Sequence, residues 1–226
     1  TKPNIVVILA DDAGYADFGF QNNLPAYKQA TPHLDQLAKQ SMRFTQAYVS
    51  ANVCAPSRAG LLTGMWQPRF GFRDNLPSHS GKPQKVWFTE QWKEIGLDVS
   101  VKTMGDHLNK LGYFTGLVGK WHLGYEDRFA PHNRGFDFFE GIRAGSRTFF
   151  QLKEIKNKIP PDRYHQREKN GIFLPESEIK HVTKSQGDAA LEFIDEASAD
   201  KNPFFLLLSF TAPHAPLQPD LISYEK

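Results

Sequence analysis

The sequence predicts an α/β fold: a mostly parallel sheet with helices on both faces. Three observations carry this reading. Apolar runs at Ile5–Ala10 and Phe204–Phe210 suit strands buried on both faces, and Tyr113–Val118 reads as a short strand. Helical periodicity separates those runs. Polar residues gather just after the runs: Asp11 and Asp12, Lys120 and His122, and His214. Open α/β sheets form their sites at that edge.

The elements follow in chain order. Ile5-Val6-Val7-Ile8-Leu9-Ala10 is β-branched and apolar, and it ends at two aspartates. Thr31-Pro32 opens a helix, with threonine as cap and proline at the first turn. Leu34, Leu37, Ala38 and Met42 are its apolar stripe. Arg43 to Val49 reads as a strand feeding a helix at Cys54. Val101, Met104, Leu108 and Leu111 mark another helix, closed by Gly112. The strand at 113–118 leads into Gly119-Lys120-Trp121-His122-Leu123-Gly124. A helix is expected over Ser177–Ala197, with Val182, Ala189, Ala190, Phe193 and Ile194 inward. The segments 78–97 and 143–175 show weak periodicity and read as loops or insertions. The stretch Pro131–Gly141 reads as packing and loop shape, and His132 has no assigned role.

Composition narrows the function. The 226 residues suffice for one large domain, and 40% hydrophobic content argues against wholesale disorder. Net charge is +2 from 27 basic and 25 acidic residues, with no like-charge run to suggest nucleic acid or a membrane surface. Lys153 to Lys158 is mixed in sign and reads as solvated surface. No apolar stretch approaches the roughly 20 residues of a membrane span. The start, Thr1-Lys2-Pro3-Asn4, reads as a mature or trimmed terminus with any export signal removed. A periplasmic or secreted location is the expectation.

Cys54 is the only cysteine, so no internal disulfide is possible. It lies in Cys54-Ala55-Pro56-Ser57-Arg58, with Pro56 suited to a first helical turn. Backbone N–H groups, the positive dipole end and the Arg58 cation would favour an anion there, and a nucleophile that attacks one. Asp11 and Asp12 are adjacent carboxylates that need a compensating cation if buried. Lys120 and His122, two apart on a strand-like stretch, would face one cleft. A histidine between prolines, as at His214, is by itself an ordinary loop residue.

Cys-x-Pro-Ser-Arg at 54–58 resembles the signature of type I sulfatases, in the alkaline phosphatase superfamily. The hexapeptide at 119–124 and Phe-x-Ala-Pro-His-x-Pro at 210–216 resemble two further motifs of that family, in its order. The resemblance spans essentially the whole chain and implies a three-layer αβα sandwich. It implies that Cys54 is converted to Cα-formylglycine by a formylglycine-generating maturation enzyme. It implies Asp11, Asp12 and residue 54 as ligands of Ca²⁺, or Mg²⁺. It implies that Arg58 holds the modified residue, that Lys120 and His214 bind the sulfate, that His122 moves a proton on residue 54, and that His214 protonates the leaving oxygen. The substrate would be a sulfate monoester, most simply a sulfated carbohydrate.

Family members run about twice this length and place further metal ligands and a second lysine later. The expectation is therefore an N-terminal part of the catalytic domain over 1–226, lacking a C-terminal remainder and subdomain, binding metal weakly and turning over little alone. Two alternatives stay open: a phosphonate monoester or phosphodiester hydrolase of the same superfamily, and a non-catalytic protein on the same fold.

Overall fold

The computed structural model describes residues 2–22, 24, 30–76, 94–152, 162–199 and 202–220. Among the described residues six strands form one sheet in the order β1-β6-β2-β3-β4-β5. They are β1 (Ile5–Leu9), β2 (Phe114–Lys120), β3 (Phe138–Ile142), β4 (Glu168–Lys169), β5 (Ile172–Phe173) and β6 (Phe204–Ser209). The first four positions in that order are parallel, and β4 and β5 join as an antiparallel hairpin. The helices are α1 (Pro32–Lys39), α2 (Cys54–Thr63), α3 (Met104–Lys110) and α4 (Val182–Ala199).

Side-chain alternation sorts the core into two layers. Phe205 and Leu207 of β6 and Leu117 of β2 pack with Ala55, Ala59 and Leu62 of α2, and Met104 and Leu108 of α3 lie against them. The intervening residues Phe204, Leu206, Leu208 and Val118 meet Ala189, Ala190, Phe193 and Ala197 of α4 on the other face. A Cβ on Gly116 would stand 2.4 Å from the Phe193 ring, so this glycine lets α4 lie close to the sheet. The expected three-layer αβα arrangement is present. Residues 113–118 and 204–210 match their strands closely, and Gly112 closes α3 at φ +80°.

Several expectations are corrected. β1 is an edge strand: α4 contacts β2, β3 and β6, and Val6 and Ile8 are about half exposed, so β1 is not buried on both faces. Residues 43–49 form a turn at 45–46 and otherwise irregular chain, not a strand. Phe44, Tyr48 and Val49 are exposed, and strand propensity without a partner strand does not hold a strand. The α1 stripe is likewise open, with Leu34, Leu37 and Met42 exposed. α4 starts at Val182; Glu176–Glu178 ahead of it is a separate 3₁₀ turn. Within 131–141, residues 138 onward are strand β3. His132 lies 3.5 Å from Asp127 through Nε2.

The 143–175 segment is more ordered than its periodicity suggests. Its scaffold is ionic: Arg143 bonds Glu168, and Arg147 forks onto Glu176, with all four side chains buried. Such pairs leave no hydrophobic period to read. Within 78–97, residues 78–93 lie outside the described set, as does the Lys153–Lys158 cluster. Gly96 bridges Gly124, and Leu97 is fully buried.

Candidate active site

The carboxyl ends of β1, β6 and β2 bring the polar residues to one rim. β1 and β6 stay paired past their ends, with Phe210 N–H donating to Leu9 and Asp11 N–H to Ala212. β2 continues beside β3 through Trp121 N–H to Ile142 and His122 N–H to Arg143. The backbone at Gly119 has φ +106°, and a Cβ there would stand 2.0 Å from the Ser209 carbonyl. Only glycine fits that close approach. His122 has φ +63°. Lys120 and His122 therefore do not project as two residues of one regular strand; turns on either side aim them separately.

Lys120 goes into a buried ionic knot. Its Nζ donates to Asp11 Oδ2 at 2.5 Å. Arg58 Nη2 donates to Asp11 Oδ1 at 3.0 Å, so both carboxylate oxygens are engaged. Arg58 Nη1 also donates to the Lys120 carbonyl at 2.9 Å and to Ser209 Oγ at 2.5 Å. All four residues are buried. Two cations thus share one carboxylate. Burial, helped by the Arg58 charge, pushes the Lys120 ammonium below the ordinary lysine range, while Asp11 and Cys54 pull it back up.

Cys54 is the first residue of α2 and partly accessible. Its Sγ lies 3.3 Å from His122 Nδ1 and 3.4 Å from Asn75 Oδ1. Burial, then the Lys120 and Arg58 charges, hold the His122 ring well below the ordinary histidine range. His122 is therefore neutral at pH 7. Asn75 also takes the Ala55 N–H at 2.9 Å, capping α2 where Val53 cannot.

Asp12 and His214 form a third group. Asp12 has φ +61° and is largely exposed, and its Oδ2 lies 3.5 Å from His214 Nε2. His214 Nδ1 donates to the Ala215 carbonyl at 2.6 Å. The His214 charge bears on His122, so the groups are neighbours.

All seven residues singled out from the sequence come to this rim. They form three subclusters: Asp11 with Arg58 and Lys120, Cys54 with His122, and Asp12 with His214. Sequence reasoning missed Ser209, Asn75 and Gly145. Ser209 could have been suspected as the polar end of an apolar strand, whereas no local pattern marks Asn75 or Gly145.

A Cβ on Gly145 would stand 2.5 Å from Cε1 and Nε2 of His122, so this glycine makes room for the ring. Gly145→Ala is expected to cost about 1–3 kcal/mol by overpacking. Gly187, inside α4 with nothing near its would-be Cβ, gives the control: Gly187→Ala is expected to stabilise by about 0.4–1 kcal/mol. Urea unfolding of the two variants checks the opposite signs.

The donors bear on a hard divalent cation in kind. Asp11 and Asp12 offer carboxylate oxygens at one strand end. They do not fit as a complete site, because both Asp11 oxygens hold cationic side chains. Among the described residues no group of three histidine, cysteine or acidic side chains is placed to hold a metal.

The sequence model of the Sulfatase family matches residues 3–224. Arylsulfatase G of Mus musculus is 32% identical over 236 aligned residues, covering 96% of this chain and 42% of that protein. N-acetylgalactosamine-6-sulfatase of Mus musculus is 35% identical over 221, covering 95% and 40%. Among solved structures, Ps i-CgsB in complex with k-i-k-neocarrahexaose superposes with a TM-score of 0.84 at 34% identity, covering 97% of this chain and 47% of that one. The chain therefore spans somewhat less than half the length of these relatives.

Proposed function

The chain belongs to the sulfatase family, and on that premise we propose that it carries the nucleophile-bearing part of a sulfuric ester hydrolase. One observation supports this most: Cys54 opens α2 in contact with a neutral, buried imidazole, beside the Arg58–Asp11–Lys120 knot. A sulfate monoester is an anion, and its hydrolysis needs a positive site, an oxygen nucleophile and a proton for the leaving alcohol.

The residues divide that work. The α2 N-terminus, with Arg58 and Lys120 behind it, makes the site attractive to an anion. Lys120 is fully buried on Asp11, so it acts on sulfate as a positive charge from behind residue 54. His122 Nδ1 takes a proton from residue 54. His214, at the exposed side beside Asp12, donates a proton to the departing oxygen.

In this reading Cys54 is the precursor of Cα-formylglycine. Such a residue supplies a hydrated aldehyde, whose oxygen attacks sulfur and whose carbon–oxygen bond later breaks to free sulfate. The surroundings fit. The thiol lies against Asn75 Oδ1, an acceptor, and His122 Nδ1, an acceptor when the ring proton is on Nε2, and a hydrated aldehyde would offer this pair two hydroxyls. Ca²⁺ or Mg²⁺ would be met by Asp11 and Asp12, but the described residues alone do not complete that site, and no step here depends on it.

Sulfated carbohydrate is the proposed substrate class. The relatives that support it act, by name, on N-acetylgalactosamine 6-sulfate or bind a neocarrahexaose. No described helix is long and apolar enough to cross a membrane, and a periplasmic or extracellular setting would suit a polysaccharide substrate.

The test uses the full natural chain, expressed with a formylglycine-generating enzyme. The Cys54 peptide is expected to show the mass of a residue in which a carbonyl oxygen replaces SH and H. Sulfate release from sulfated galactose sugars should exceed turnover of phosphate diesters. Preferential diester cleavage would favour the phosphodiesterase alternative; an intact thiol with no turnover would favour a non-catalytic protein.

A further inference from the structure

We propose that Asn75 is a positioning residue that holds residue 54 in its hydrated form. The proposal rests on the reading of Cys54 as an aldehyde precursor. Asn75 comes from a chain segment distant from α2, and the buried residues Phe72 and Leu76 anchor that segment on either side. Its amide orientation is fixed by chemistry: the Ala55 N–H can only donate, so the oxygen of Asn75 faces α2 at 2.9 Å. The same oxygen lies 3.4 Å from Cys54 Sγ. One carbonyl oxygen with two lone pairs therefore serves both the helix end and the reacting side chain.

The opposite flank of residue 54 is His122 Nδ1, at 3.3 Å. In the tautomer that carries its proton on Nε2, Nδ1 is a second acceptor. Two acceptors around one atom mismatch a thiol, whose single proton satisfies one of them. They match a carbon bearing two hydroxyls, one pointing at each. They match a free aldehyde worst of all, since its oxygen has no proton to give. The pair thus biases the balance between aldehyde plus water and the hydrate towards the hydrate. It also makes the two hydroxyls unequal: one faces a base able to take its proton, and the other faces an amide that only orients it.

The test reads the carbonyl directly and needs no sulfate ester. An aminooxy probe condenses with the free aldehyde to an oxime and water, and does not condense with the hydrate. In the matured full-length protein, Asn75→Ala is expected to label about 3- to 10-fold faster than wild type, the factor one ordinary hydrogen bond is worth. Asn75→Asp keeps an acceptor oxygen and is expected to label at close to the wild-type rate. Amide exchange over Ser57–Leu62 should be unchanged in both, which separates positioning from a frayed helix. Equal labelling of wild type and Asn75→Ala would overturn the proposal, as would Asn75→Asp labelling as fast as Asn75→Ala. Cys54→Ser sets the background. Wild type at that background with its thiol mass intact would remove the aldehyde reading itself, and this proposal with it.

Discussion

Asp11→Ala is expected to destabilise the fold by about 3–5 kcal/mol, because it strands two cations in the interior. Arg58 and Lys120 both end on the Asp11 carboxylate, and all three side chains are buried. The knot is unbalanced to begin with, at two positive charges against one negative. Lys120→Met should therefore cost far less, since it leaves one matched pair, Arg58 with Asp11. Asp11→Ala loses two bonds and Lys120→Met one, so independent contacts would give the same order; a stranded charge is told apart by its dependence on pH. The asymmetry should also depend on pH. Burial already lowers the Lys120 pKa, and without Asp11 it falls further. A base with a depressed folded pKa binds fewer protons folded than unfolded, so stability rises with pH up to its unfolded value, about 10.4. The deficit of Asp11→Ala should shrink between pH 7 and pH 10. Thermal or urea unfolding of both variants across that range decides it; a deficit that is equal for the two variants and flat in pH would remove the argument.

The knot also shows what the sequence could and could not reveal. Asp11, Arg58 and Lys120 were legible as chemistry because each follows a strand or opens a helix, where open sheets place their sites. Their mutual contacts were not, since residues 11, 58 and 120 meet only when β1, α2 and β2 are assembled. From its spacing Lys120 reads as a cation facing one cleft with His122, and the structure buries its ammonium on Asp11. The parallel core was readable because β2 and β6 are buried on both faces and most of their residues are apolar. β1 has the same composition yet lies at an edge, because α4 stops short of it. Residues 43–49 have strand-forming side chains and, among the described residues, no strand pairs with them. The 143–175 segment is held by Arg143–Glu168 and Arg147–Glu176, and ion pairs leave no period in a sequence. Asn75 and Gly145 were invisible for a different reason: one acts through an amide oxygen, the other through the absence of a side chain.

His122→Ala is expected to lower kcat for sulfate ester cleavage by about 10²–10⁴-fold, the range for a positioned proton acceptor, with a smaller change in KM. Burial is the largest cause of the depressed pKa of the His122 ring, and Lys120, Arg58, His214 and His165 add to it. The ring stays neutral in the folded protein to below the ordinary histidine value of about 6.5. Two consequences of opposite usefulness follow. As a base, His122 remains competent in mild acid, so the acid limb of kcat should fall below pH 6.5. As a folded-state group, it resists protonation that the unfolded chain accepts freely. The unfolded state then binds more protons below about pH 6.5, and stability must fall as pH drops through that value. His122→Gln keeps a polar side chain of similar reach and removes the titration. It should lose activity like the alanine variant yet denature less steeply in acid than wild type. Parallel acid denaturation curves, or a wild-type acid limb above pH 6.5, would show that the ring is not held neutral and that another group takes the proton.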